Sequence, residues 1–178
     1  MSIETNGDSN SVEWRGHKYD YEWIDGTNIN NFKPYTLVSG VCFNKEGKIL
    51  IMNEHGRWRF PGGQSLSGSR QKESPENTLI REVKEETNVL LKNDRNTLLG
   101  AYKVKKVNSK KPEYYQIYYF SEISQILLRE KDPENQKILG IEFVDTKNLL
   151  GYLHWGEEGT FLLKAIIKEY NKRQNNQK

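Results

Sequence analysis

Trp58-Arg59-Phe60-Pro61-Gly62-Gly63, then Glu73, then Arg81-Glu82-Val83-Lys84-Glu85-Glu86-Thr87-Asn88-Val89 is the stretch on which the reading of this chain turns. Each residue advances about 100° around a helix, so Glu82, Glu85 and Glu86 share one sector while Leu79, Ile80 and Val83 fill the neighbouring one. One face suits a core, and the other can aim carboxylate oxygens at a common point, as a hard cation such as Mg²⁺ requires. Like charges at these spacings repel by about 0.2–0.5 kcal/mol per pair, and Arg81, one turn before Glu85, offsets only part of that. The helix carries its own start and stop. Ser74 suits an N-cap, Pro75 the first helical position, and Glu76 complements the positive end of the dipole. Asn88 is the residue type besides glycine that most readily turns left-handed after a helix. The competing reading is a charged surface helix. That would interleave signs at i and i+4, and it leaves Trp58 to Gly63 unexplained.

Glu73, seven residues, Arg81-Glu82-Val83-x-Glu85-Glu86, then Asn88-Val89, resembles the signature box of the Nudix hydrolases. Two departures stand out. Nine residues, Gln64 to Lys72, separate Gly63 from Glu73, four more than the box usually has, and Asn88 replaces the usual glycine. A longer loop rich in Ser, Gly and Gln costs little stability, because closure entropy grows slowly with length. Neither departure removes a carboxylate.

The 178 residues are most simply one domain, and a formal charge of +3 gives no basis for strong nucleic-acid binding, though it suits anionic phosphate compounds. The single cysteine, Cys42, cannot form an internal disulfide; it lies in an apolar stretch and reads as a buried thiol in a reducing, cytoplasmic setting. There is neither a signal-like N-terminus nor an apolar run long enough to span a membrane.

Residues 1–11 read as a polar, flexible segment, 12–172 as a single domain, and 173–178 as a flexible tail. His17 to Ile24, Tyr35 to Phe43, Lys48 to Met52, Trp58 to Phe60, Leu98 to Val107, Tyr114 to Ser121 and Ile141 to Val144 are predicted strands. Asn44 to Gly47 is predicted to turn one hairpin, and Asn108 to Pro112 a second with a basic tip. Thr160 to Lys172 is predicted to be a helix with Leu162, Ile166 and Tyr170 inward and Lys164, Lys168 and Lys172 outward. The class is therefore α/β (α+β): a mixed sheet between helices, in agreement with the α/β/α sandwich that the resemblance implies.

The resemblance further implies Mg²⁺, with Mn²⁺ as a substitute, held by Glu82, Glu85 and Glu86 with the Gly62 carbonyl as an additional ligand. It implies that Gly63 permits close backbone approach and that Arg81 pairs with Glu73 to orient the site. The activity implied is hydrolysis of a nucleoside diphosphate linked to a moiety X, by metal-activated water and without a covalent nucleophile. The resemblance does not fix the general base: outside the box Glu134 is the first candidate and Glu142 the second, each against the competing reading of a solvated carboxylate, and Glu85 within the box can serve instead. Trp58, Tyr102, Tyr114, Tyr118 and Trp155 suit stacking on a base, but aromatic residues in strands are more often core. Lys103, Lys105, Lys106, Lys110 and Lys111 read as a solvated hairpin, and His17, His55 and His154 lack metal-ligand spacing. The expected partner is a small nucleotide-type substrate, with neither membrane nor nucleic acid, and a homodimer stays open. Two alternatives remain: a noncatalytic nucleotide sensor, whose lack of need for repelling carboxylates counts against it, and an RNA-decapping hydrolase, which the modest charge disfavours.

Overall fold

The computed structural model describes residues 10–14, 16–65, 73–128 and 138–176. Ten strands form the sheet: β1 (Asn10–Trp14), β2 (His17–Asp25), β3 (Tyr35–Phe43), β4 (Ile49–Glu54), β5 (Arg57–Arg59), β6 (Gly62–Gly63), β7 (Val89–Leu91), β8 (Thr97–Lys106), β9 (Tyr114–Ile126) and β10 (Ile138–Val144). The helices are α1 (Pro75–Thr87), α2 (Leu149–Leu153) and α3 (Glu158–Asn175). The main path runs β1-β2-β8-β9-β3-β4-β10, with β5 on β4, β6 on β3 and β7 on β9. β3 and β9 pair in parallel while the other pairs are antiparallel, so the sheet is mixed.

β3 and β4 are apolar at successive positions because both their faces are covered. Val41, Phe43, Ile49 and Ile51 point to one face, where Leu149 and Leu153 of α2 and Leu162 and Ile166 of α3 join them. Val38, Cys42 and Leu50 point to the other, against Leu79 and Val83 of α1. This is the α/β/α sandwich. Leu79 and Val83 are fully buried, each contributing about 1.5–3 kcal/mol relative to exposure. Cys42 is also fully buried, and burial pushes its thiol pKa up, as an inert core residue requires.

Local chemistry sets the ends of α1. Ser74 Oγ accepts a 3.2 Å bond from the Asn77 N–H, Pro75 opens the helix, and Asn88 closes it at φ 54° with its N–H on Lys84 O.

Several stretches differ from the sequence reading. β1 begins at Asn10, inside the segment expected to be flexible, because Gly16 turns it back to pair Ser11 with Asp20 and Val12 with Tyr19. α3 continues to Asn175, past the expected tail boundary at Arg173, because Arg173 is fastened to Glu122, Glu169 and Thr97. β9 runs on to Ile126, where β7 covers its end. No helix among the described residues is long and apolar enough to cross a membrane.

Candidate active site

β5, β6 and α1 bring the box residues together. Gly62 pairs with Ser39 of β3, at φ +154°, and a side chain there would meet the Val38 carbonyl and Ser39 Cα. At Gly63 an added Cβ would fall on the carboxylate of Glu82. Gly62 thus lets the strand close on β3, and Gly63 lets the backbone lie directly against the acidic face of α1.

Each carboxylate has a defined partner. Glu86, 15% exposed, accepts from the Gly62 N–H at 2.8 Å and from Arg59 Nη2 at 2.6 Å. Burial raises its pKa, and the Arg59 charge and the Gly62 N–H only partly reverse the rise. Arg81 spans the rest of the cluster. Its Nε and Nη2 donate to the two oxygens of Glu73 at 2.9 and 3.0 Å, and its Nη1 donates to Glu82 at 2.8 Å and Glu85 at 3.0 Å. The Glu73 hydrogen bonds are the first cause of a guanidinium pKa above its ordinary value. Thr78, fully buried, gives Glu73 a further bond at 2.9 Å. Glu82 is 16% exposed and Glu85 57%, so two carboxylates are sunk and one faces solvent.

The expected common point is not formed by side chains alone. Among the described residues no three of His, Cys, Asp and Glu converge as metal ligands, because Glu82 and Glu85 turn to Arg81 while Glu86 turns to Arg59. The Gly62 carbonyl, expected as a ligand, accepts from Arg59 Nη1 at 3.1 Å. In kind, the donors still fit a hard divalent cation. They are carboxylate and carbonyl oxygens, in acid excess, over a cradle that a Cβ at Gly63 would fill.

Arg59 is the residue that sequence reasoning passed over. Its Nε also donates to Glu54 at 2.8 Å and its Nη1 to Phe60 O at 3.1 Å. Burial lowers its pKa, and the charges of Glu86 and Glu54 more than reverse that. The available signal was strand alternation. Trp58 and Phe60 share one face of the core, which sends Arg59 to the other, immediately before the glycines.

The remaining candidates separate by position. Glu134 lies outside the described residues, as do residues 66–72. Glu142 stands opposite Ile51 in the β4–β10 register, on the face of α2 and α3, where it is hydrogen-bonded to Tyr152. It is across the sheet from α1. Tyr102 and Tyr118 are core residues, each 4% exposed, and Trp155 stacks edge-to-face on Phe60 and Tyr118. Tyr114 is half-buried against the same core. Trp58 lines an open groove of about 510 Å³ with Lys147, Asn148, Gly151, Tyr152 and His154. Lys103 and Lys105 pair with Glu113 across the β8–β9 hairpin, at 2.9 and 3.9 Å, as a solvated hairpin would.

The profile of the NUDIX domain matches residues 34–162, which contain the whole of this arrangement, and the chain belongs to the Nudix hydrolase family. Solved structures of similar fold include a Bacillus subtilis pyrophosphohydrolase, BsRppH (TM-score 0.61, 20% identity, 90% of this chain and 97% of that one). A UDP-X diphosphatase matches at TM-score 0.55 and 21% identity, over 78% of this chain and 64% of that one. A MutT protein from Methanosarcina mazei Go1 matches at TM-score 0.51 and 20% identity, over 78% and 96%. At such identities the likeness is one of fold. No curated protein matches the chain.

Proposed function

We propose that this protein is a cytoplasmic, Mg²⁺-dependent pyrophosphohydrolase that cleaves a nucleoside diphosphate linked to a moiety X, with Mn²⁺ able to replace Mg²⁺. The observation that carries the reading is the acid excess packed against Gly62 and Gly63: Glu82 is sunk beside Gly63, which leaves no side chain over its carboxylate, and Glu86 is sunk beside Gly62, from whose N–H it accepts. Glu82, Glu86 and the Gly62 carbonyl would hold the metal, with Glu85 completing the set from the solvent side. A divalent ion there neutralises phosphate charge and acidifies water at neutral pH.

The chain's own residues do the remaining work. Arg81, tied twice to Glu73, fixes the rotamers of Glu82 and Glu85, so it is a positioning residue. Glu85 keeps one oxygen on Arg81 and the rest of its carboxylate in solvent, which suits it to take a proton from water. Glu134 is the other candidate base, from outside the box. Glu142 is withdrawn, because its strand register places it on the far face of the sheet. The names of the similar structures, a pyrophosphohydrolase and a UDP-X diphosphatase, support phosphoric anhydride chemistry on this fold.

The test is product release from nucleoside triphosphates, nucleotide sugars, ADP-ribose and dinucleoside polyphosphates, with Mg²⁺, with Mn²⁺ and with chelator, on wild type and Glu86→Gln. Metal-dependent turnover that the variant loses establishes the enzyme and names X. Tight binding of one compound without turnover of any replaces this reading with a nucleotide sensor.

A further inference from the structure

We propose that Arg59 is a built-in counter-cation: its guanidinium holds Glu86 and the Gly62 carbonyl, and a divalent ion must displace it to bind there. The inference rests on the metal reading above. Its basis is that one side chain claims the very oxygens that reading gives to the metal: Arg59 Nη2 is 2.6 Å from Glu86 Oε1, and Nη1 is 3.1 Å from Gly62 O. The other Glu86 oxygen is taken by the Gly62 N–H at 2.8 Å. A divalent ion bound to these atoms would stand beside a fixed positive charge, which a half-buried site screens poorly. The two cations therefore compete.

Burial explains why the fold carries such a group. Glu86 is 15% exposed at a position where water solvates it weakly, and a carboxylate sunk with no cation beside it would cost the metal-free chain much of its stability. Arg59 supplies that cation from β5, where strand alternation directs it away from Trp58 and Phe60 and onto α1. The exchange also has a resting place. Arg59 Nε is held 2.8 Å from Glu54, one-third exposed, so the Nη nitrogens can release Glu86 while the Glu54 contact persists. Arg81 is built differently. Its two bonds to Glu73, which is not a proposed metal ligand, leave it anchored whatever binds Glu82.

The deciding measurement is Mn²⁺ affinity by titration with electron paramagnetic resonance, paired with thermal unfolding of the metal-free protein, for wild type, Arg59→Gln, Arg59→Lys and Glu86→Gln. Arg59→Gln is expected to bind Mn²⁺ about tenfold more tightly, the equivalent of one charge-assisted hydrogen bond no longer displaced, and to unfold at lower temperature without metal. Arg59→Lys keeps a charge but not the two-pronged contact, and about threefold tighter binding is expected. If Arg59→Gln does not fold, the lysine variant decides the matter alone. Equal or weaker Mn²⁺ binding in the folded variants, with binding still lost in Glu86→Gln, overturns the role of Arg59 and leaves the metal reading intact. Wild-type protein that shows no Glu86-dependent Mn²⁺ binding overturns both.

Discussion

Two glutamate–arginine clusters lie on opposite faces of the sheet, and they balance their charge differently. On the α1 face five carboxylates, Glu54, Glu73, Glu82, Glu85 and Glu86, meet two guanidinium groups, Arg59 and Arg81, leaving a formal −3. On the α3 face two carboxylates, Glu122 and Glu169, meet Lys92, Arg95, Lys172 and Arg173, leaving +2. There Arg173 also lies 4.3 Å from the centre of the Phe120 ring and bonds Thr97 at 2.6 Å. The second cluster satisfies its carboxylates from within and serves as a fastener between α3 and the sheet. The first keeps an acid surplus against glycine backbone, and the proposed metal site rests on that surplus.

Substitutions should separate the two. Glu86→Gln keeps the shape of the first cluster and removes charge from it. Its kcat is expected to fall by about 10²–10³-fold or more, with far-UV circular dichroism unchanged; full activity would break the functional half of the contrast. Arg81→Ala should impair both properties, lowering kcat/KM about tenfold and stability by about 2 kcal/mol, since it takes the guanidinium from the sunken Glu73 and Glu82. Thermal unfolding would then shift down by about 4–8 °C. Arg173→Ala is expected to cost about 1.5 kcal/mol in urea unfolding while leaving kcat/KM at the wild-type value. A loss of turnover there would mean that the two faces are coupled.

Acid titration sharpens the contrast further. Burial alone would raise the pKa of Glu122, but the hydrogen bonds and charges of Lys92 and Arg173 outweigh it and hold the carboxyl below its ordinary 4.5. The folded value is thus under the unfolded one, so the stabilisation is complete above about pH 4.5 and drains away as pH falls through the folded value. Urea midpoints followed downward from neutral pH should fall less steeply below pH 4.5 in Glu122→Gln than in wild type. An equally steep acid limb in the variant would sink this account. The smallest effect belongs to Lys110→Ala, at the hairpin tip, where stability should stay within about 0.5 kcal/mol and turnover should not move.

What could be read from the sequence was whatever local chemistry decides. α1 was legible because Ser74, Pro75 and Asn88 cap it and Leu79 and Val83 recur at helical spacing. β3 was legible because Tyr35 to Phe43 is an apolar run between a proline and a turn. β1 was not, since the alternation of Ser11, Val12, Glu13 and Trp14 spans too few residues beside the polar start of the chain, and the segment becomes a strand by pairing with β2. β7 escaped because it starts immediately beyond the left-handed Asn88. In the site, the Arg81–Glu73 pair followed from the box, whereas Arg59 meets a glutamate 27 positions away, and only the β4–β5 register brings it there. Glu142 shows the converse. Its residue type suits a base, but the β4–β10 register assigns it to the other side of the sheet.

The mouth of the long loop between β6 and α1 is stitched shut on the protein side. Arg81 Nη2 holds the Gln64 carbonyl at 3.1 Å, and Ser65 Oγ holds the Glu73 carbonyl at 3.2 Å. With both ends pinned to each other and to the arginine that steadies the carboxylates, the acidic face takes its geometry from Gln64, Ser65, Glu73 and Arg81, whatever number of residues separates Ser65 from Glu73.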